Sequence, residues 1–168
     1  AWLAQAKPDC ICVQEIKAQM EHIEGAFEEV AGLKGYFHLA EKKGYSGVGI
    51  YSRHEPSDVV TGYNSPEFDP EGRYVELRFD TPHKKLSIIS AYFPSGSSGE
   101  ERQQAKFRFL DQFYPHLVSL KQRRDFILCG RFYHVKCWPR VYFILMARCI
   151  NRFNILSHSW WSLLCYRC

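Results

Sequence analysis

The sequence predicts an α/β layered fold, and three observations carry that prediction. Short strand-like runs recur in two kinds: "YVELRFD" at 74–80 alternates apolar with polar residues, whereas "CICV" at 10–13 and "FILC" at 126–129 are apolar throughout. Alternation marks a strand with one face in water, and a short continuous run marks a fully buried one. Between these runs lie stretches with apolar residues at three- and four-residue spacings, and Gly and Pro punctuate the junctions. Strands interleaved with helices bury their apolar faces by stacking in layers.

Taken in order, residues 1–7 read as the end of a helix closed by Pro8 and Asp9, followed by a buried strand at Cys10–Glu15 whose last residue rises to the rim of a sheet. "MEHIEGAFEEVAG" at 20–32 reads as a surface helix closing at Gly32. Strands are expected at "YFHLA", "GVGIYS", "YVELRFD" and "LSIISAYF", each bounded by turn residues. From Gly99 to Lys121 the spacing of Phe107, Leu110, Phe113 and Leu117 predicts an amphipathic helix, bent at Pro115. "DFILC" then forms another buried strand.

With 168 residues the chain is long enough for one domain with a hydrophobic core. Its net charge of +4 is unevenly placed: residues 1–130 hold all 18 acids and 16 of the 22 bases, and residues 131–168 carry six bases and no acid. The positive balance is therefore weak testimony for a polyanionic partner. Seven cysteines is an odd number, and Cys10, Cys12 and Cys129 sit in apolar runs where a thiol packs as a small hydrophobe, which predicts a reducing, cytoplasmic setting. The opening "AWLAQAKPDC" has neither an initiator Met nor a signal-peptide pattern and reads as an internal entry into a longer protein. "VYFILMA" at 141–147 is too short for the roughly 20 residues of a membrane span, so no membrane association is expected.

Three stretches combine into a specific pattern: "VQEIK" at 13–17, "KKGYSGVGIYSR" at 42–53 and "SAYFPSGSSGEERQQAKFRFLDQF" at 90–113, joined by "EGR" at 71–73 and "DFILCG" at 125–130. In this order and spacing they resemble the exodeoxyribonuclease III type of apurinic/apyrimidinic endonuclease, a branch of the endonuclease/exonuclease/phosphatase superfamily. The resemblance runs to Gly130 and implies a DNase I-like, two-sheet α/β sandwich flanked by helices, of which this chain is expected to carry roughly one sheet with its helices. It also implies a phosphodiester hydrolase of DNA repair, cutting double-stranded DNA at abasic sites and trimming 3′ ends, with Mg²⁺ (or Mn²⁺) as cofactor and no obligate protein partner.

The same resemblance assigns roles to individual residues. Glu15 corresponds to a metal-binding carboxylate, which suits a hard cation that neutralises phosphate charge. Lys17, two residues on, and Tyr45 in the glycine-rich "GYSGVG" loop are implied contacts to the DNA backbone, as is Arg73; such contacts position a duplex without reading its sequence. Tyr92, ending the strand before "FPSG", is the implied active-site tyrosine, a phenol able to donate a hydrogen bond to a phosphate oxygen. Arg102 and Arg108 read as a solvated helix face. "CYRC" at 165–168 lacks the second close pair that a zinc site needs, and the seven histidines form no metal-binding pattern.

Relatives continue the strand matching "FILCG" into an Asp-x-Asn stretch, whereas Arg131, Phe132 and Tyr133 follow Gly130 here. A guanidinium stays protonated and cannot act as a base. The acid-free tail, with nine aromatic residues and four Cys in 38, shows no consistent period. The chain is thus expected to divide into a partial domain at 1–130 and an anomalous, frameshifted segment at 131–168, and to be inactive alone. Two other functions remain open at this stage: a non-catalytic DNA-backbone-binding module and a phosphatase of the same superfamily.

Overall fold

A computed structural model describes residues 2–96 and 99–131. Helix α1 (Trp2–Ala6) leads into β1 (Cys10–Gln14), a single helical turn α2 (Met20–Ile23), and strands β2 (Glu29–Val30), β3 (Leu33–His38), β4 (Val48–Ser52) and β5 (Asp58–Thr61). A 3₁₀ turn at Asp69–Glu71 precedes β6 (Tyr74–Asp80), β7 (Lys85–Tyr92), the long helix α3 (Glu100–Lys121) and β8 (Asp125–Arg131). The strands make two four-stranded sheets, ordered β1-β4-β3-β2 and β5-β6-β7-β8. The first is antiparallel throughout. In the second, the crossover through α3 makes β7 and β8 parallel, because a strand returning after a helix re-enters in the same direction.

Period-two alternation sorts the second sheet into two cores. Val75 and Leu77 of β6 meet Val48 and Ile50 of β4 between the sheets, with Cys10, Cys12, Tyr36, Phe79, Ile88 and Tyr92 packed around them. The intervening residues Tyr74, Ile89, Ala91 and Leu128 face the other way and receive α3. The molecule is therefore layered as sheet, sheet and helix: it has the two-sheet α/β sandwich that the resemblance implies, but with a four-stranded part of both sheets where roughly one sheet was expected, because β1 to β4 pair among themselves and pack on β5 to β8. The helix-side core is aromatic: Phe93 and Phe109 lie edge to face at 5.1 Å, and Tyr63 and Phe113 at 5.3 Å. Edge-to-face packing sets the positive rim of one ring on the negative face of the next.

Three details differ from the expectation. The helix predicted over 20–32 is one turn long, because Gly25 adopts φ +76° and the chain then forms a hairpin. Glu29 and Val30 pair with Lys34 and Leu33 across Ala31 and Gly32, both at positive φ, the two-residue turn whose twist matches that of paired strands. On α3 the buried stripe is Phe109, Phe113, Leu117 and Leu120, while Phe107 is 48% exposed, one position off the stripe. The helix continues through Pro115, held by the buried residues on either side. Strand β5, unanticipated, is a short sheet edge with Val59 on the surface.

A polar cluster sits beneath α3. Glu76 is fully buried, and its carboxylate accepts from Tyr74 Oη (2.8 Å), Arg78 Nε (2.9 Å) and Ser87 Oγ (2.6 Å). Arg124 adds a bond to Ser87, and His116 Nε2 lies 3.1 Å from Tyr74 Oη. Burial pushes the Glu76 carboxyl up, but the bonds from Arg78, Ser87 and Tyr74 outweigh it and leave the group below the ordinary carboxylate range. Between the sheets, Cys10, Cys12 and Cys129 are free thiols, as their apolar setting predicts. The hydrogen bond to Cys129, reinforced by burial, raises the Cys12 thiol well above its ordinary value. Among the described residues no helix is long and apolar enough to cross a membrane. The change of composition after Gly130 and the "CYRC" stretch lie, Arg131 apart, outside the described residues.

Candidate functional site

The candidate site is built where β1 and β7 end at the same rim of the sandwich. Gln14, the last residue of β1, donates through Nε2 to Ser90 Oγ (2.9 Å), and Ser90 donates on to the Val13 carbonyl (3.1 Å). These bonds tie the end of one sheet to the strand that carries Tyr92. Beyond Gln14 the chain turns sharply, with Glu15 at φ +60° and Lys17 at φ +55°. Left-handed geometry disfavours side chains with a Cβ and persists only where the surroundings impose it. Here the glycine-rich loop imposes it: Ile16 N donates to Gly47 O (3.2 Å) and Lys17 N to Ser46 O (2.9 Å). "VQEIK" and "GYSGVG", 31 positions apart at their glutamate and serine, are thereby locked side by side.

At this hook Glu15 is 27% exposed and pairs with Lys17 Nζ at 2.9 Å. Oxygen donors of this kind suit Mg²⁺, which is commonly held by one or two carboxylates with waters and substrate phosphates completing the shell. Among the described residues no group of three or more His, Cys, Asp or Glu converges as a ready cation cage; the Glu15 carboxylate is an oxygen donor of the kind such an ion takes.

Arg73 organises the rest. The resemblance implies a DNA contact for this residue; in the structure it is 3% exposed, and each of its three guanidinium nitrogens has a partner within the chain. Its Nε pairs with Glu71, Nη1 donates to the Tyr92 carbonyl (3.0 Å) and Nη2 to Tyr45 Oη (2.9 Å). The guanidinium also lies over both phenol rings, 5.6 Å from the centre of Tyr45 and 5.1 Å from that of Tyr92. A planar, permanently charged fork can stack on rings and bond at its edges simultaneously. The preceding Gly72 (φ +59°) allows this approach, since a Cβ there would stand 2.5 Å from the Leu39 carbonyl carbon.

Sequence reasoning missed one residue of the site. Arg102, in the first turn of α3, is exposed as its helix face predicts and also donates from Nη1 to Tyr45 Oη at 3.2 Å, which ties it to the tyrosine cluster. Arg108 does match the surface reading, forming a two-pronged pair with Glu67. A hollow of about 280 Å³ opens at the tyrosine, lined by Glu41, Lys42, Tyr45, Pro70, Glu71 and Arg102. A larger one of about 690 Å³, around His38, Asn64 and Asp69, contains none of the anticipated residues. The structure thus joins Tyr45, Arg73 and Tyr92 through one guanidinium, and places Glu15 and Lys17 against the loop that carries Tyr45.

Strand β8 contributes one further feature. In the parallel register Arg131 stands opposite Tyr92, at the position where the resemblance implies an aspartate. An arginine stays protonated at any working pH and offers no base at this station.

Comparison with known proteins agrees with this architecture. The chain is 31% identical over 130 residues to an exodeoxyribonuclease of Bacillus subtilis, a match covering 77% of this chain and 49% of the relative. It is 29% identical over 134 residues to the DNA repair nuclease APEX1 of Danio rerio, covering 77% and 41%. An AP endonuclease from Archaeoglobus fulgidus superposes with a TM-score of 0.62 at 29% identity, covering 77% of this chain and 48% of that one. The fold is also shared with a 3′-5′ exonuclease from Neisseria meningitidis, at a TM-score of 0.65 and 23% identity. The chain therefore spans about half the length of the relatives it matches. The model described as Endonuclease/Exonuclease/phosphatase family matches residues 1–161, and the chain belongs to that family.

Proposed function

We propose that the chain carries one side of the active site of a DNA repair phosphodiester hydrolase, acting on duplex DNA at abasic sites and 3′ ends. The observation that carries this reading is the single guanidinium of Arg73 holding Tyr45 and Tyr92 together beside the Glu15 hook. The names of the relatives, a DNA repair nuclease and an exodeoxyribonuclease, support it.

In this reading Glu15 supplies one oxygen ligand to Mg²⁺, with Mn²⁺ as an alternative, and the ion when bound neutralises charge on the scissile phosphate. Lys17 and Tyr45 hold the sugar-phosphate chain. Tyr92, half-buried at the end of β7 and fixed through its carbonyl by Arg73, donates its phenolic proton as a hydrogen bond to a phosphoryl oxygen. A donor held by the fold need not reorganise as the phosphate gains charge, which is the basis of its contribution to rate. Removing the proton from the attacking water falls to none of these groups. Arg131 opposite Tyr92 therefore favours a second reading for this particular chain, a DNA-backbone-binding module without turnover.

The test uses the 168-residue chain with a fluorescent duplex containing an abasic-site analogue, in Mg²⁺ or EDTA, read by anisotropy and on a denaturing gel. Salt-dependent binding without cleavage is expected, with Glu15→Gln erasing the difference between Mg²⁺ and EDTA. Absence of salt-dependent binding would refute the DNA reading. Cleavage abolished by Glu15→Ala would show the chain to be catalytically complete, and hydrolysis of a soluble phosphoester in place of DNA would favour a phosphatase.

A further inference from the structure

Arg73 is enclosed and matched by Glu71, so its charge is unavailable to a phosphate lying outside. The side chains above it are differently placed. Tyr45 is half-buried, Lys42 and Arg102 are exposed, and all three line one hollow. Lys42 Nζ stands 5.6 Å over one part of the cluster, the Tyr45 ring, while Arg102 Nη1 reaches the hydroxyl at 3.2 Å. This bond is made to a hydroxyl and not to a carboxylate, and it orients the Arg102 guanidinium. Two acids border the hollow: Glu71 is engaged by Arg73 and by the Tyr45 hydroxyl, and Glu41 flanks Lys42. Glu71 and Glu101 also lie within electrostatic reach of Arg102. Arg108, by contrast, is neutralised by Glu67 through two close contacts.

We propose that Arg102 and Lys42, held on either side of Tyr45, form a subsite for a backbone phosphate of the DNA strand, with Arg73 as the positioning residue beneath it. This rests on the DNA reading above and names which cations meet the strand. A fork offers two parallel N–H donors to two phosphate oxygens, whereas an ammonium acts as a point charge, so Arg102 orients the phosphate and Lys42 strengthens its binding. The arrangement holds the backbone without touching a base edge, as an enzyme indifferent to sequence requires.

The experiment is a salt titration of duplex binding by the 168-residue chain, comparing wild type with Arg102→Ala, Lys42→Ala, Tyr45→Phe and Arg108→Ala. Each phosphate contact contributes about 0.9 to the slope of log affinity against log salt, so Arg102→Ala and Lys42→Ala should each lower the slope by roughly that amount. Affinity at moderate salt should fall about fivefold in each, on the order expected for one exposed contact. Tyr45→Phe, which removes the tether but no charge, should weaken binding at unchanged slope, and Arg108→Ala should match wild type. A wild-type slope in both Arg102→Ala and Lys42→Ala, or an equal fall in Arg108→Ala, overturns the subsite while leaving the DNA reading in place. A wild-type chain with no salt-dependent binding overturns both.

Discussion

Replacing Arg73 by lysine separates the role expected from sequence from the role the structure gives it. Lysine preserves the charge opposite Glu71 but loses the fork, so it cannot also reach the Tyr92 carbonyl and the Tyr45 hydroxyl, 3.0 and 2.9 Å from two different nitrogens of the arginine. A hydrogen bond from a charged donor contributes about 1.5–3 kcal/mol, and a buried acceptor left without a partner costs about 1–3 kcal/mol. Tyr45 keeps its bond from Arg102, which softens one loss, whereas the Tyr92 carbonyl loses the donor it had. The expected destabilisation is about 2–4 kcal/mol. At a urea slope of about 2 kcal/mol per molar, the middle of the range for a small domain, the unfolding midpoint should drop by about 1–2 M. The slope of DNA affinity against salt should stay at its wild-type value, because the buried charge releases no counterion. A stable Arg73→Lys variant whose salt slope falls by about 0.9 would refute this reasoning and return Arg73 to the DNA surface.

Two further perturbations probe the layers that support the site. Phe113→Ala should cost about 3–5 kcal/mol by leaving a hole among the rings of the helix-side core, whereas Phe107→Ala, at an exposed position, should change the urea midpoint little; similar losses in both would contradict the observed helix face. Stability should also fall with acid in two stages. Burial lowers the affinity of His116 for a proton, and Tyr74, Glu76, Asp69, Arg78 and Arg123 surround it, so the unfolded chain gains protons below about pH 6.5 that the folded chain resists. Glu76, held below the ordinary carboxylate range, adds stability above about pH 4.3 that is lost as pH falls through its lowered native value. Urea midpoints measured against pH should show both limbs, and His116→Gln should remove the upper one; an unaltered upper limb would exclude His116 as its source.

Much of the architecture was legible in local patterns, because strands declare themselves by period two and α3 by its apolar spacing. "YVELRFD" was read as a half-exposed strand and is a central one, its odd residues between the sheets and its even ones beneath α3. The hairpin at 29–34 was illegible because its pairing depends on Ala31 adopting positive φ, a conformation that its residue type disfavours. Phe107 and Phe109 are both apolar and two positions apart, so composition could not say which faces the sheet; only docking of the helix decides it.

The same division holds for the site. "VQEIK", "GYSGVG", "EGR" and "AYFPSG" are short motifs that mean little one by one; it was their common order and spacing, through the resemblance to a family, that brought Glu15, Tyr45, Arg73 and Tyr92 to notice. Residue type, order and spacing are written in the sequence. Distance and burial are not, since they arise from segments dozens of residues apart. The tertiary structure alone decided that Arg73 lies under the tyrosines with its fork on Glu71, Tyr45 and the Tyr92 carbonyl, that Arg102 joins them from α3, and that Arg131 comes to stand opposite Tyr92. An arginine reads identically in sequence whether its fork meets a phosphate or two phenols, and only the packing around it determines which partner it reaches.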